Sequence, residues 1–380
     1  MPYIPFPPSW PVYTPAQKLA DWLESYAQSL ELNVWTSSVV LKASQDASTN
    51  HWSVTVKRVD GSERILHPHH LVFAVGLGGG VPNMPVYPGM DGFEGRILHS
   101  SQYSKATDHV GKKVIVIGAC NSGHDISADF YHHGIDVTMV QRGPTYVMTR
   151  KNSAPVLFGA LYSEGAPPTD IADRIMASFP NKLVKLMSKR LTKHLAEADS
   201  ELLDGLRRRG FKLTMGEDGT GFFLLVWEKG GGFYIGVHYF RFTQLTDIKA
   251  KIDVGASQLI ADGKIKLKSD SLIERFTKTS IKFQNGSELS ADLVVFATGF
   301  GDQTESVRKI LDDELKGKCK RIWGLDEELE MCGLWRDLGI PHLWSMMGNL
   351  ALGRYYSKHL ALQIKAIEEK VFGSRYGPGV

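Results

Sequence analysis

The chain has 380 residues, 43% hydrophobic and 22% charged, which suits a globular protein with two domains or one domain nested in another. A net charge of +3, with no aromatics interleaved among basic runs, does not point to nucleic acid as a partner. Three cysteines, Cys120, Cys319 and Cys332, form neither a metal-ligand spacing nor a disulfide framework, which fits a reducing, cytoplasmic setting, and no apolar run approaches the roughly 18 residues of a membrane span.

Residues 1–15 carry six prolines and can be neither helix nor central strand. Pro15 suits a first helical position, and Leu19, Trp22, Leu23, Tyr26 and Leu30 recur at helical spacing. Strand-like runs follow in LNVWTSSVVLKAS and HWSVTVKRVDGSERIL, with VDGSE as the hairpin turn. The histidines of HPHH (His67, His69, His70) end this hairpin and lack further ligands, so they read as a solvated loop and no metal is expected. LVFAVG, 71–76, reads as a short buried strand, and LVVFATG, 293–299, repeats its design. From Lys112 to Arg142 the pattern is β-α-β: VIVIG, a helix from Asn121 to His133, Gly134 as its stop, and DVTMVQR. Residues 165–210 are mostly helical, with an apolar stripe of Leu183, Leu186, Met187, Leu191, Leu195, Leu202 and Leu206 expected to pack on the rest of the protein. Strands return over 211–300, with a turn at Asn285–Gly286, and the chain closes with a strand, a glycine turn and a long helix.

The stretch VIVIGACNSGHDI, 114–126, carries the clearest chemistry. A strand ending at Gly118 can turn tightly, and Gly123 lets the helix pack close to it. A pyrophosphate laid there meets free backbone N–H groups and the positive end of the helix dipole. Cys120 stands where the fingerprint has its middle glycine; it is small, so the pattern weakens without breaking. An NAD site expects an acidic residue about 20 positions further on. Here the position 19 residues after Gly123 is Arg142, and a guanidinium suits a 2′-phosphate, which favours NADPH.

DGFEGRILHSSQY immediately precedes this unit and places Phe93, Gly95, His99 and Tyr103 in a Phe-x-Gly-x-x-x-His pattern with a tyrosine four residues on. With IGACNSGHD, LVFAVG, LVVFATGF and GNLALGRYYSKHLALQI, these residues resemble the class B flavin-dependent monooxygenases. The likeness is to the flavin-containing and YUCCA-like branch, of fungal type; the Baeyer–Villiger branch has tryptophan at the place of Tyr103. The resemblance covers nearly the whole chain. It implies an α/β fold of the two-dinucleotide-binding-domain flavoprotein type, a Rossmann-like NADPH domain nested in an incomplete FAD domain. The implied segments are 1–100 for the first part of the FAD domain, 101–290 for the NADPH domain with a helical insertion, and 291–380 for the return to the FAD domain. It also implies that Gly118, Cys120, Asn121, Ser122 and Gly123 lie near the NADPH pyrophosphate, with Arg142 at the 2′-phosphate. Gly76, Thr298 and Gly299 would sit at the domain crossing, Gly348 and Asn349 close to FAD, and His99 in the linker that couples the domains. The implied activity inserts one oxygen of O2 into a small organic substrate through a C4a-hydroperoxyflavin.

Two departures from the family pattern stand out. The family's FAD fingerprint lies upstream of the segment with which this chain starts, so the N-terminal FAD-binding βαβ unit is expected to be absent. GLGGG, 76–80, is followed by a proline-rich stretch, where a phosphate site would need a helix. The run from GGFYI to DVGASQLIADGKI is interrupted from Gly236 to Lys251, which reads either as a retained intron or as a hairpin insertion, HYFRFTQL being strand-like. The alternative functions are an inactive fragment that at most binds NADPH, and a flavin-independent NADPH reductase. For a reductase, Tyr355 and Lys358 lack the spacing and context of a catalytic pair; for a hydrolase there is no GxSxG elbow.

Overall fold

The computed structural model describes residues 1–11, 14–76, 81–236 and 255–373. Residues 237–254, which hold nearly all of the Gly236–Lys251 interruption, lie outside the described residues.

In chain order the elements begin with α1 (Ala16–Ser29), β1 (Val39–Gln45), β2 (Trp52–Lys57), β3 (Glu63–Leu66), β4 (Leu71–Phe73), β5 (Arg96–His99), β6 (Lys113–Ile117), α2 (Asn121–His132), β7 (Asp136–Val140) and β8 (Tyr146–Thr149). A helical stretch follows: α3 (Arg150–Ala154), α4 (Ala160–Tyr162), α5 (Thr169–Ser178), α6 (Asn181–Ala198), α7 (Ser200–Arg208) and α8 (Phe222–Leu224). Then come β9 (Phe233–Gly236), α9 (Ala256–Ala261), β10 (Lys266–Lys268), β11 (Ile273–Phe276), β12 (Ser280–Phe283), β13 (Glu288–Ser290), β14 (Leu293–Phe296), α10 (Gln303–Arg308), α11 (Asp313–Lys316), β15 (Leu343–Ser345) and α12 (Leu350–Glu368). Two compact units result. One comprises 1–81, 302–323 and 331–380, the other 82–301 and 324–330.

The second unit is built on a five-stranded sheet in the order β10-β7-β6-β14-β5, parallel throughout. Strands buried on both faces read as continuous apolar runs, and KVIVI and LVVF do so because each side of the sheet is covered. Val114, Val116, Leu293 and Val295 point to one face, against Ile126 and Phe130 of α2 and Leu259 and Ile260 of α9. Ile115, Ile117, Val294 and Phe296 point to the other, against Phe93 and the antiparallel sheet β11-β12-β13 through Phe276, Ile281 and Phe283. Side chains as fully buried as Ile115 and Phe296 contribute roughly 1.5–3 kcal/mol each by leaving water.

In the first unit, β1-β2-β3 form an antiparallel sheet, closed at VDGSE by Arg58 N–H donating to Ser62 O at 2.8 Å. Pro15, expected as the first helical residue, is the residue before it, and its carbonyl accepts from Leu19 N–H at 3.1 Å. Trp22 and Tyr26 on α1 stack at 5.2 Å, and Phe6 and Trp10 of the proline-rich start join Trp22 at 4.6 and 6.3 Å. β4 pairs in parallel with β15. The two echoing segments therefore differ in depth: β14, flanked by two strands, is buried throughout, whereas β4 is half-buried.

The histidine loop departs from its expected solvated state. The His70 side chain is 11% exposed. Its Nδ1 accepts from the Trp344 indole N–H at 3.1 Å, and because indole only donates, His70 is neutral with its proton on Nε2, donated to Glu368 at 2.8 Å. The stripe on α6 is only half packed: Leu195 is buried, while Leu183, Leu186 and Met187 are exposed. Among the described residues no helix is long and apolar enough to cross a membrane, and no group of three or more His, Cys, Asp or Glu is placed to hold a metal ion.

Candidate dinucleotide site

The C-terminal ends of β7, β6, β14 and β5 lie side by side, the edge at which open parallel sheets take their ligands. At the end of β6, Gly118 has φ +127°, and a Cβ there would strike the carbonyl of Ala297, just past β14. Gly123, in the first turn of α2, lies so close to the Gly118 carbonyl that a Cβ has no room. Cys120 precedes α2 in an extended conformation and its side chain makes no cap, so the positive end of the helix carries no intrachain side-chain acceptor from that position. The Cys120 thiol accepts from the N–H groups of Gly232 and Phe233, and burial pushes its pKa up. The neighbouring Asn121 Oδ1 accepts from Ile235 N–H at 3.1 Å. β9 thus braces the departure from the glycine pattern. Ser122 is exposed on the first turn.

Arg142 stands exposed beyond the end of β7. The residue before it, Gln141, is buried and ties this strand end to Lys212: its Oε1 accepts from Lys212 N–H at 2.7 Å and its Nε2 donates to Lys212 O at 2.8 Å. Lys212 Nζ in turn donates to Arg142 O at 3.2 Å. Two cations therefore share this end, and the second was not found from sequence because 70 residues separate the pair.

The Phe93–Tyr103 stretch supports the same edge from beside it. Phe93 packs edge-on to Phe276 at 5.5 Å, and Gly95 passes against the Phe93 ring and the Asp292 carbonyl. His99, 1% exposed, donates from Nε2 to Gly299 O at 2.9 Å and accepts at Nδ1 from Ser101 N–H at 3.2 Å, which fixes the neutral Nε2–H tautomer. Tyr103 donates its hydroxyl to Asp129 of α2, and Asp129 also accepts from Ala106 N–H at 3.0 Å. Thr298 donates to Asn83 O at 2.5 Å and Gly299 O accepts from Asn83 N–H at 3.0 Å. Asp129 and Asn83, both missed in the sequence, hold the Tyr103 and Gly299 ends in place.

The remaining candidates belong to the first unit. Gly76, with φ +74° and open space where a Cβ would lie, follows β4. Gly348, with φ +112°, follows β15, and Asn349 caps α12 by accepting from Leu352 N–H at 3.0 Å. Since β4 and β15 are parallel, Gly76 and Gly348–Asn349 stand at the same end of that pair.

The flavin-binding monooxygenase-like family matches residues 1–205, more than half of the chain. The chain belongs to this family. Its sequence is 29% identical over 313 residues to indole-3-pyruvate monooxygenase YUCCA1 of Oryza sativa subsp. japonica, covering 82% of this chain and 66% of that protein. Against indole-3-pyruvate monooxygenase YUCCA6 of Arabidopsis thaliana it is 25% identical over 312 residues, covering 80% and 64%. The chain thus spans just under two thirds of the length of these relatives. A flavin-containing monooxygenase from Stenotrophomonas maltophilia has the same fold at a TM-score of 0.55 and 16% identity, covering 98% of this chain and 82% of that one. A cyclohexanone monooxygenase variant from Rhodococcus sp. Phi1 bound to NADP+ gives 0.56 and 15%, covering 93% and 71%. The fold of this family member is therefore α/β, of the two-dinucleotide-binding-domain flavoprotein type.

Proposed function

We propose that this protein is an FAD- and NADPH-dependent monooxygenase that places one oxygen of O2 on a small organic substrate, in the cytoplasm. The observation that carries the reading is the turn from β6 into α2, where main chain packs on main chain at Gly118 and Gly123 and Cys120 leaves the helix end uncapped. In this reading Gly118, Cys120, Asn121, Ser122 and Gly123 receive the NADPH pyrophosphate, and Arg142 with Lys212 receives the 2′-phosphate. FAD is assigned to Gly76, Thr298, Gly299, Gly348 and Asn349. Segments 1–100 and 291–380 are assigned to the FAD domain and 101–290 to the NADPH domain. A bound flavin would supply the redox and oxygen chemistry; the chain's own task is to hold both cofactors in register and keep water out. His99, locked to Gly299 and Ser101, is a positioning residue for the β14 end. The names of the plant relatives make an indole-3-pyruvate-like acid one substrate to try, alongside amines, sulfides and carbonyls.

The visible spectrum of the purified chain, with and without added FAD, tests the flavin half. Retained flavin near one per chain supports the reading; a folded chain that takes up none leaves the NADPH-binding fragment as the better account. For the nicotinamide half, Arg142→Ala is expected to weaken NADPH binding about tenfold or more, the value of one charge-assisted pair, and to leave NADH nearly unchanged. Equal weakening of both would remove the 2′-phosphate role.

A further inference from the structure

Helix α6 begins inside out. Leu183, Leu186 and Met187 recur at the spacing of a core-facing stripe, yet they are 43, 62 and 52% exposed. The side turned to the protein at this level is polar: Lys185 and Lys189 reach Asp218 at 3.3 and 2.8 Å. Only from Thr192 onward does the helix bury its inward side, with Leu195 joining Tyr146, Met148 and Leu225. Lys185 and Lys189 thus occupy the side on which Asp218 lies, and the apolar side chains face water. The exposed stripe continues back across the link from α5, where Ile175, Met176 and Phe179 are also exposed. Lys182, Arg190 and Lys193 are exposed on the same helix, which carries five Lys and Arg against a single Glu.

We propose that the α5–α6 face docks this protein onto an anionic phospholipid membrane surface, the apolar stripe entering the headgroup–acyl boundary and Lys182, Arg190 and Lys193 meeting lipid phosphates. An apolar stripe rimmed with cations is the pattern of a helix lying in that interface, and clustered exposed apolar side chains mark interaction surfaces. The charge decides between occupants. A second copy seated on the same face by two-fold symmetry would bring two sets of Lys182, Arg190 and Lys193 into one interface, cation facing cation, whereas an anionic bilayer neutralises them. This inference does not rest on the proposed redox activity.

The test is co-sedimentation of the full chain with phosphatidylcholine vesicles and with vesicles that also contain phosphatidylserine. Binding is expected to the mixed vesicles only, and to weaken as salt is raised. Leu186→Ser with Met187→Ser should lower the partition coefficient about tenfold or more, and each of Lys182→Gln, Arg190→Gln and Lys193→Gln about fivefold. All five positions are exposed, so the melting temperature should not move. Failure of the unaltered chain to bind mixed vesicles, or binding that these variants leave intact, would overturn the proposal. So would a dimer in gel filtration that Leu186→Ser converts to monomer, which would give the face to a second copy.

Discussion

At Gly118 the chain leaves β6 with φ +127°, and at Gly348 it leaves the end of β15 with φ +112°; each turn then enters a helix, α2 in the second unit and α12 in the first. The two turns share a design and differ in what holds them. The missing Cβ of Gly118 faces the backbone carbonyl of Ala297, and Gly123 faces that of Gly118, while the missing Cβ of Gly348 faces the side chain of Leu352. β6 has β7 on one side and β14 on the other, and β15 pairs with β4. The caps are opposite as well: Cys120 offers none, and Asn349 satisfies Leu352 N–H. A turn fixed by main chain and left uncapped presents its donors to an incoming phosphate. A turn capped by its own asparagine has one of those donors already engaged, so a ligand there must work around or displace it.

Alanine at the two glycines breaks this comparison most directly. Both positions impose a strained positive φ, which costs roughly 1–3 kcal/mol for a residue with a Cβ. At Gly118 the Cβ also meets backbone that cannot move aside, adding an overpacking cost of about the same size. Gly118→Ala is expected to lose about 4 kcal/mol of stability in chemical denaturation and Gly348→Ala about 2 kcal/mol, because the nearest obstacle there, Leu352 Cδ1, can rotate away and only its Cβ stays in tight contact. Equal losses would mean that the close approach at β14 contributes nothing.

The next largest effect depends on pH. His124, the residue after Gly123, is fully buried and stacks on Tyr234 at 3.8 Å. Its Nδ1 donates to Cys120 O at 3.2 Å and its Nε2 accepts from Ser257 Oγ at 3.1 Å. Burial pulls its pKa from 6.5 down to about 3. The folded pKa lies below the unfolded one, so between these values the unfolded chain binds a proton that the native chain refuses, and stability falls as pH falls. The loss from about pH 7.5 to about pH 5 is about 2 kcal/mol from this group. His342 in the first unit is shifted the same way by burial, so the slope must be compared between variants. His124→Met should flatten it by about 2 kcal/mol over that interval; an unchanged slope would show that His124 is not the group responsible.

How much of this was legible in the sequence follows from how far apart the interacting residues lie. The β6–α2 turn was readable because strand, glycine and helix are contiguous and the fingerprint states its own geometry. The VDGSE hairpin and α1 were readable for the same reason. The inversion of α6 was not, since periodicity gives a stripe but no direction, and the groups the helix faces, Asp218 among them, lie outside it. Lys212 reached the Arg142 end only through Gln141, 71 residues away in sequence, and no local pattern marks it. The HPHH run reads as a solvated loop until Trp344 and Glu368 arrive from 274 and 298 residues further on. The sequence likewise presents LVFAVG and LVVFATG as equals. Depth belongs to a strand's neighbours, and only LVVFATG sits between two of them.

The smallest effect separates the two caps. Asn349 Oδ1 takes one of the N–H groups that the start of α12 would otherwise leave to solvent. Asn349→Ala should therefore cost about 1 kcal/mol, and Asn349→Asp, which keeps an accepting oxygen near the positive end of the helix, should cost almost nothing. At the matching place before α2, Cys120→Ala removes no cap of the helix and should lose only what its sulfur accepts from the N–H groups of Gly232 and Phe233. If Cys120→Ala and Asn349→Ala cost the same through loss of helix, the α2 end is capped after all, and the argument that its donors are reserved for a ligand fails.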